Sequence, residues 1–209
     1  MNGEFDAAAP RMDVGGATIW KGLLLPEAQR AMVDDVRQLV SAAPLFSPQT
    51  RWGKPMSVRM TSAGRYGWYS DRGQGYRYIE RHPSGIPWPP IPPRILAVWR
   101  KVAPDSRPPD CCLVNFYGAK AKMGLHQDRD EADFSQPVVS ISLGDDALFR
   151  IGTEMRGGPT QSLWLSSGDV LVLGGASRLA YHGVDRTRHA SSTLLKEGGR
   201  INLTLRVVA

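Results

Sequence analysis

The sequence predicts a mainly β protein with flanking helices, in the α+β class, built on a double-stranded β-helix (jelly-roll) core. Three observations carry that prediction. From Cys111 onward, short apolar segments follow one another at close intervals, separated by turns such as Gly144-Asp145-Asp146, Ser166-Ser167-Gly168-Asp169 and Gly174-Gly175. About eight short strands of this kind fit two facing antiparallel sheets. The two stretches with helical spacing both lie before this region. The last segment, Arg200 to Val208, alternates without a break: Ile201, Leu203, Leu205 and Val207 share one face of an extended strand, and Arg200, Asn202, Thr204 and Arg206 the other.

The elements follow in order. Residues 1–17, acidic, Ala-rich and polar, read as a flexible tail without the basic start and apolar run of a secretory signal. Residues 18–209 read as one domain. A strand is expected around Thr18–Leu24. Pro26 suits the first turn of a helix running to about Ala43, with Met32, Val33, Val36, Leu39 and Val40 at helical spacing. Residues 44–93 change in composition, with many Gly, Pro and aromatic residues and few long apolar runs. Here Trp52, Tyr66, Trp68, Tyr69, Tyr76, Tyr78 and Trp88 are interleaved with Arg51, Arg59, Arg65, Arg72, Arg77 and Arg81. Such a mixture suits a surface that stacks bases and contacts phosphates; the alternative is a loop region that packs its aromatics beneath it. His82 to Pro93 is Pro-rich and reads as an extended connection. Arg94–Ala103 reads as a second helix with Ile95, Val98, Trp99 and Val102 on one face, and 104–110 as a polar linker. Strands are then expected near 111–117, 123–128, 138–143, 147–151, 161–165, 169–173, 178–184 and 200–208, making 111–209 the jelly-roll catalytic core. The loop 185–199, with Arg186, Arg188, His189 and Lys196, suits phosphate contact or simple mobility.

Composition sets outer bounds. A chain of 209 residues suffices for one core plus a lobe, and a net charge of +6 is compatible with a nucleic-acid partner without demanding one. The two cysteines, Cys111 and Cys112, are adjacent and would point to opposite faces of a strand, so no disulfide is expected and a reducing cytoplasm is. No apolar run approaches the length of a membrane span, and no dimerisation signal is visible, so a monomer is expected.

The chemistry begins at His126-Gln127-Asp128. Histidine and aspartate two residues apart on a strand point the same way, and His182 would complete two histidines and a carboxylate around one metal ion, leaving three coordination positions open. His-x-Asp by itself is a weak signal. Its combination with Arg200 and Arg206 is more specific, because two guanidiniums on one polar strand face suit a dianion with two carboxylates. A metal with open positions beside a dicarboxylate cradle describes an Fe(II)/2-oxoglutarate dioxygenase. Asn115 and Tyr117 share a strand face with Leu113 that should look into the barrel, where an amide and a phenol can bond a carboxylate.

At this point the sequence resembles a family, the AlkB-type nucleic-acid demethylases. The resemblance rests on Arg200-x-Asn202-x-Thr204-x-Arg206, His126-x-Asp128, Tyr181-His182-Gly183, Leu113-Val114-Asn115-Phe116-Tyr117, Val138 to Gly144 and Gly168-Asp169-Val170. Upstream, Met56-Ser57-Val58-x-Met60-Thr61, Gly67-Trp68 and Gln74-Gly75-Tyr76 match the family's substrate-recognition part. It implies that residues 44–93 are a nucleotide-recognition lid. It implies Fe(II) on His126, Asp128 and His182, and O2 and 2-oxoglutarate as co-substrates. Asn115, Tyr117, Arg200, Asn202 and Arg206 would hold 2-oxoglutarate, Arg200 at the distal carboxylate and Arg206 near the chelating one. The implied reaction is oxidative demethylation of 1-methyladenine and 3-methylcytosine in DNA, single-stranded by expectation, with RNA as a further substrate, releasing formaldehyde, succinate and CO2. Trp68 and His126 would sandwich the base, Asp130 would contact its exocyclic amine, and Tyr76 and Tyr78 would contact the backbone. Met56, Met60 and Ser140 would line the pocket wall. Leu173, Ser162 and Glu154 to Gly158 depart from the family pattern, which bears on lesion and on DNA against RNA.

Two other readings compete. One is an oxygenase of the same fold acting on a protein or small molecule; the basic, aromatic stretch 51–81 argues against it. The other is a nucleic-acid-binding protein without activity, which the intact metal and co-substrate positions argue against.

Overall fold

The structure is a computed structural model describing residues 3–50 and 52–209; Met1 and Asn2 of the expected tail and Arg51 of the expected arginine set lie outside the described residues. The order is β1 (Arg11–Val14), β2 (Ala17–Trp20), α1 (Pro26–Ala42), β3 (Val58–Gly64), β4 (Gly67–Asp71), β5 (Gly75–Ile79), α2 (Pro93–Val102), β6 (Cys111–Tyr117), β7 (Met123–His126), β8 (Val138–Gly144), β9 (Ala147–Ile151), β10 (Gln161–Leu165), β11 (Val170–Leu173), β12 (His182–Thr187) and β13 (Arg200–Arg206). A seven-stranded sheet runs β1-β2-β11-β8-β13-β6-β3, a four-stranded sheet runs β10-β9-β12-β7, and β4-β5 form a separate hairpin. Every named pairing is antiparallel. The jelly-roll expectation therefore holds.

The alternation of β13 is resolved as a core face and a cavity face. Ile201, Leu203 and Leu205 join Cys112 and Val114 of β6 and Val139, Ile141 and Leu143 of β8 in one buried cluster. Helices α1 and α2 complete it with Met32, Val33, Val36 and Leu39, and with Ile95, Val98 and Trp99. Burying this apolar stripe on the helix side of the sheet leaves the alternate residues no choice but the other side. There, between the two sheets, lies a cavity of about 170 Å3.

Three expectations need correction. The flexible tail at 1–17 is too long: β1 pairs with β2, and Phe5 bridges Leu24. Gly15 and Gly16, both at positive φ (58° and 80°), make the tight two-residue turn that folds β1 back. Within the stretch 44–93 expected as a lid, β3 is instead an edge strand of the large sheet, paired with β6 along its length and buried at Val58, Met60 and Ala63. Its Arg59-x-Thr61-Ser62 run hides the strand period, because Thr61 and Ser62 are buried too. Finally, β7 stops at His126, so Asp128 sits in a loop beyond the strand expected near 123–128, and Asp130 follows it in that loop.

The aromatics of 44–93 divide between both readings. Trp88 is buried, its Nε1–H donating to the Ile79 carbonyl at 2.9 Å, and Tyr69 packs against Phe46. Trp52 and Tyr76 are exposed. Both cysteines are free, as the sequence suggests, and the structure buries them.

Candidate active site

β7 and β12 bring the two histidines together. His126 and His182 are direct partners in the ladder, with ring centroids 4.6 Å apart. Nδ1 of His126 lies 2.9 Å from the Gly124 carbonyl, and Nδ1 of His182 lies 3.0 Å from the Ala180 carbonyl. A carbonyl only accepts, so each Nδ1 carries the proton and each Nε2 presents a lone pair. Asp128 stands 3.7 Å from both Nε2 atoms, through Oδ1 to His126 and Oδ2 to His182. The three ligand atoms lie within 4.8 Å of one another.

Electrostatics keeps the set ready for a cation. Burial alone would push the Asp128 carboxyl up, but the Arg206 guanidinium and the two imidazoles outweigh it and hold it well below the usual carboxylate range. Burial pushes His182 down to about 4, against the pull of Asp128, so the ring is neutral at physiological pH. Asp128 Oδ1 accepts from Arg206 Nη2 at 2.9 Å, while the buried Oδ2 has no protein partner. Two free imidazole lone pairs and one unpartnered carboxylate oxygen, each oriented from behind, fit a divalent iron with three positions left open.

Beside this triad, β13 and its neighbours form a polar shelf. Arg200, almost fully buried, donates from Nη2 to Ser142 Oγ at 2.7 Å and from Nη1 to the carbonyls of Asp145 and Leu165 at 3.1 and 3.2 Å. These are neutral acceptors, and among the described residues no carboxylate comes within ion-pair distance of it. Its Nε has no partner. Burial pulls this guanidinium down to about 10, against Tyr117 and nearby aspartates, so it stays charged at neutral pH. Asn202 Nδ2 donates to Ser140 Oγ at 2.6 Å, and Thr204 Oγ1 to Asn202 Oδ1 at 3.0 Å. Asn115 Oδ1 and Arg206 Nη1 are buried and unpaired. A buried cation without a counter-ion, at one end of a shelf that carries a second arginine at the other, suits a dicarboxylate such as 2-oxoglutarate. Asn115, Tyr117, Arg200, Asn202 and Arg206 all line the cavity.

At the mouth, Trp68 stacks on Tyr76 with centroids 5.4 Å apart, and its Nε1–H donates to Asp130 Oδ2 at 3.2 Å. Met56, Met60, Asp130 and Ser140 also line the cavity, although the Ser140 hydroxyl is already occupied by Asn202. Tyr78 is the exception among the expected substrate residues. It is turned inward, its hydroxyl donating to Glu131 Oε1 at 2.5 Å, which removes it from a phosphate-contacting surface.

Two residues escaped sequence reasoning. Glu131 reads as one member of the charged run Arg129-Asp130-Glu131, yet it is buried, and Arg178 is buried against it with Nη2 on Oε2 at 3.0 Å. Arg178 also donates to the Asp128 carbonyl at 2.6 Å, fixing the loop that holds this candidate metal ligand. Nothing local distinguishes either from a solvated charge. Leu113 lines the cavity as its shared face with Asn115 and Tyr117 suggests, but the rest of the apolar wall, Phe149, Leu165, Leu171 and Val184, was not singled out; its signal is the inward half of each strand's alternation.

The fold and site together define a mononuclear-metal oxygenase with a dicarboxylate co-substrate. The family model described as "2OG-Fe(II) oxygenase superfamily" matches residues 16–206. The "Alpha-ketoglutarate-dependent dioxygenase AlkB homolog" of Caulobacter vibrioides (strain NA1000 / CB15N) is 55% identical over 200 residues, covering 95% of this chain and 90% of that protein. "Alpha-ketoglutarate-dependent dioxygenase AlkB" of Escherichia coli (strain K12) is 39% identical over 197 residues, 91% of this chain and 89% of that one. The solved structure of OsALKBH1 superposes with a TM-score of 0.78 at 31% identity, covering 95% of this chain and all of that one. The chain belongs to the 2OG-Fe(II) oxygenase superfamily and, within it, to the AlkB-type dioxygenases. Among the described residues no helix is long and apolar enough to cross a membrane.

Proposed function

We propose that this dioxygenase oxidatively demethylates N-alkylated bases, 1-methyladenine and 3-methylcytosine first, in single-stranded DNA and in RNA, as a step of alkylation repair. The observation that carries the reading is the mouth of the cavity. Trp68 and the rim ligand His126 both line it, and Asp130, held by the Trp68 indole, adds a carboxylate there. Two aromatic faces suit a flat base taken out of its stack. A carboxylate at the rim suits the positive charge that these two methylated bases carry at neutral pH.

Bound Fe(II), with 2-oxoglutarate and O2, would supply the oxidation of the N-methyl group, yielding formaldehyde, succinate and CO2. The chain's own residues do the rest. His126, Asp128 and His182 would hold the metal at the cavity that they line. Arg200 binds the distal carboxylate of 2-oxoglutarate, and Arg206 and Asn115 offer the unpaired groups that meet its other end. Leu113, Phe149, Leu171 and Val184 line the cavity with apolar surface that limits water beside the reacting methyl. Tyr76, exposed beside Trp68, is placed to meet the nucleic-acid backbone or a flanking base.

The test is turnover followed by mass spectrometry, with Fe(II), ascorbate, 2-oxoglutarate and a single-stranded oligonucleotide carrying one 1-methyladenine or 3-methylcytosine. Loss of one methyl mass that requires 2-oxoglutarate and disappears in His126→Ala supports the proposal. Succinate formation with the methyl group retained on DNA and RNA alike would reject it in favour of another substrate class.

A further inference from the structure

Glu131 lies outside the metal triad and the co-substrate shelf, yet its side chain is only 1% exposed and both its oxygens are engaged. Oε2 accepts from Arg178 Nη2 at 3.0 Å. Oε1 is shared: the Tyr78 hydroxyl donates to it at 2.5 Å, and Arg206 Nε approaches to 3.2 Å. That last pair is close but poorly aligned, since Arg206 Nε makes no hydrogen bond. Charge rather than a directional bond holds Nε there; the guanidinium's directional contact is the one from Nη2 to Asp128 Oδ1 at 2.9 Å.

The two partners on Oε1 belong to different parts of the molecule. Tyr78 is on β5 of the hairpin that carries Trp68 and Tyr76. Arg206 is on β13, with Nη2 on the metal ligand Asp128 at 2.9 Å and Nη1 unpaired where the residue lines the cavity. The hairpin is hydrogen-bonded as its own two-stranded sheet, and its side-chain bonds from Trp68 and Tyr78 land on Asp130 and Glu131, immediately after the metal loop. A carboxylate needed only to neutralise Arg178 would not require a phenol and a second guanidinium on its other oxygen. Burying a carboxylate is costly unless its partners are fixed, so whatever moves Tyr78 is transmitted to Glu131 and on to Arg206.

We propose that Glu131 is a positioning residue that couples the β4–β5 hairpin to the co-substrate site, sensing the hairpin through Tyr78 and orienting Arg206 for 2-oxoglutarate. This deepens, and rests on, the reading of the hairpin as the nucleic-acid-binding element. When a base engages Trp68 and Tyr76, the seated hairpin fixes the phenol, the phenol fixes Glu131, and Arg206 presents Nη1 to the 2-oxoglutarate carboxylate. Binding of substrate and co-substrate is then linked reciprocally.

The experiment is titration calorimetry of 2-oxoglutarate into the Mn(II)-loaded full chain, without turnover, with and without a single-stranded oligonucleotide carrying 1-methyladenine. In the wild type the oligonucleotide should tighten 2-oxoglutarate by about three- to tenfold, the range of one hydrogen bond's worth of coupling. Tyr78→Phe keeps every charge and should reduce that gain to less than about twofold. Glu131→Gln should weaken 2-oxoglutarate about three- to tenfold even without oligonucleotide. If Glu131→Gln does not fold, Tyr78→Phe alone decides. A purely structural brace would lower the melting temperature of the variants and leave 2-oxoglutarate affinity and its response to oligonucleotide as in the wild type; that result overturns the proposal, as does a wild type with no linkage. The demethylation assay judges the substrate reading separately. Failure to demethylate sinks that reading, whereas a demethylating enzyme with equal 2-oxoglutarate affinities in all three proteins sinks only the role of Glu131.

Discussion

His126 and His182 face each other across the β7–β12 ladder, and each ring is turned the same way by a carbonyl two residues before it, Gly124 for one and Ala180 for the other. Two strands thus impose one tautomer on both rings, with the lone pairs converging on Asp128. Asp128→Ala removes the central ligand and leaves Arg206 facing two imidazoles. Fe(II)-dependent succinate formation should fall by more than the roughly 10- to 100-fold typical of losing an outer partner, while oligonucleotide binding stays measurable. Coupled turnover and gel-shift assays check both halves.

The approach of those strands depends on Gly183. A Cβ there would lie 2.5 Å from the Met123 carbonyl and 2.8 Å from that of Gly124. Gly183→Ala must push β7 away and shift His126, so metal affinity should drop by at least about tenfold, as when an oriented ligand is displaced. Titration of Co(II), followed by its visible absorption, reads this directly.

The metal-free protein should lose stability in mild acid. His182 titrates near 4 when folded, against 6.5 as its ordinary value. Its folded value is lowered, so the unfolded chain binds the extra proton first: there is no contribution above about pH 6.5, and stability is lost as pH falls from there towards 4. The slope is about 1.4 kcal/mol per pH unit in mid-window. Denaturant melts from pH 7.5 to 4.5 should show it, and His182→Gln should flatten it.

Arg200→Lys tests the shelf. A lysine cannot reproduce the fork that reaches Ser142 and two carbonyls, and it leaves those buried acceptors short of donors. The KM for 2-oxoglutarate should rise by about 10-fold or more, the cost of one or two charge-assisted hydrogen bonds, with a smaller change in kcat at saturation. Steady-state kinetics in 2-oxoglutarate decides it; an unchanged KM would remove Arg200 from the cradle.

Trp68→Ala removes a stacking face and the donor to Asp130. Base stacking is worth about 1–3 kcal/mol, so kcat/KM on a methylated oligonucleotide should fall by roughly 5- to 150-fold. Uncoupled succinate formation without oligonucleotide should persist, since the Trp68 ring stacks on Tyr76 and bonds Asp130, outside the triad and the arginine shelf. Comparing the two rates separates a substrate role from damage to the metal centre.

Much of this was readable in the chain because it depends on local period. The alternation of 200–206 assigns Arg200, Asn202, Thr204 and Arg206 to one face, and the structure turns that face to the cavity. Helices α1 and α2 start at Pro26 and Pro93, close to where their apolar spacing begins. The parts that were not readable have non-local causes. β3 carries polar residues on a strand covered on both sides, and β1 exists because Gly15 and Gly16 return it to β2. Tyr78 resembles Tyr76 in sequence, but only the fold puts a carboxylate within reach of its hydroxyl.

The sequence by itself determined the type of protein, a jelly roll, and the shared face of Arg200, Asn202, Thr204 and Arg206, because side-chain direction along a strand follows from position alone; Asp128, beyond the end of β7, reaches the two histidines through the fold. Only the tertiary structure decided which charges are buried and with whom. Glu131 and its neighbour Asp130 are both acids in one charged run, yet one lies at the centre of the Arg178–Arg206–Tyr78 cluster and the other at the cavity mouth. The reason is physical: a carboxylate leaves water only where guanidiniums and hydroxyls from distant strands converge to replace its hydration, and that convergence belongs to the packing of the sheets.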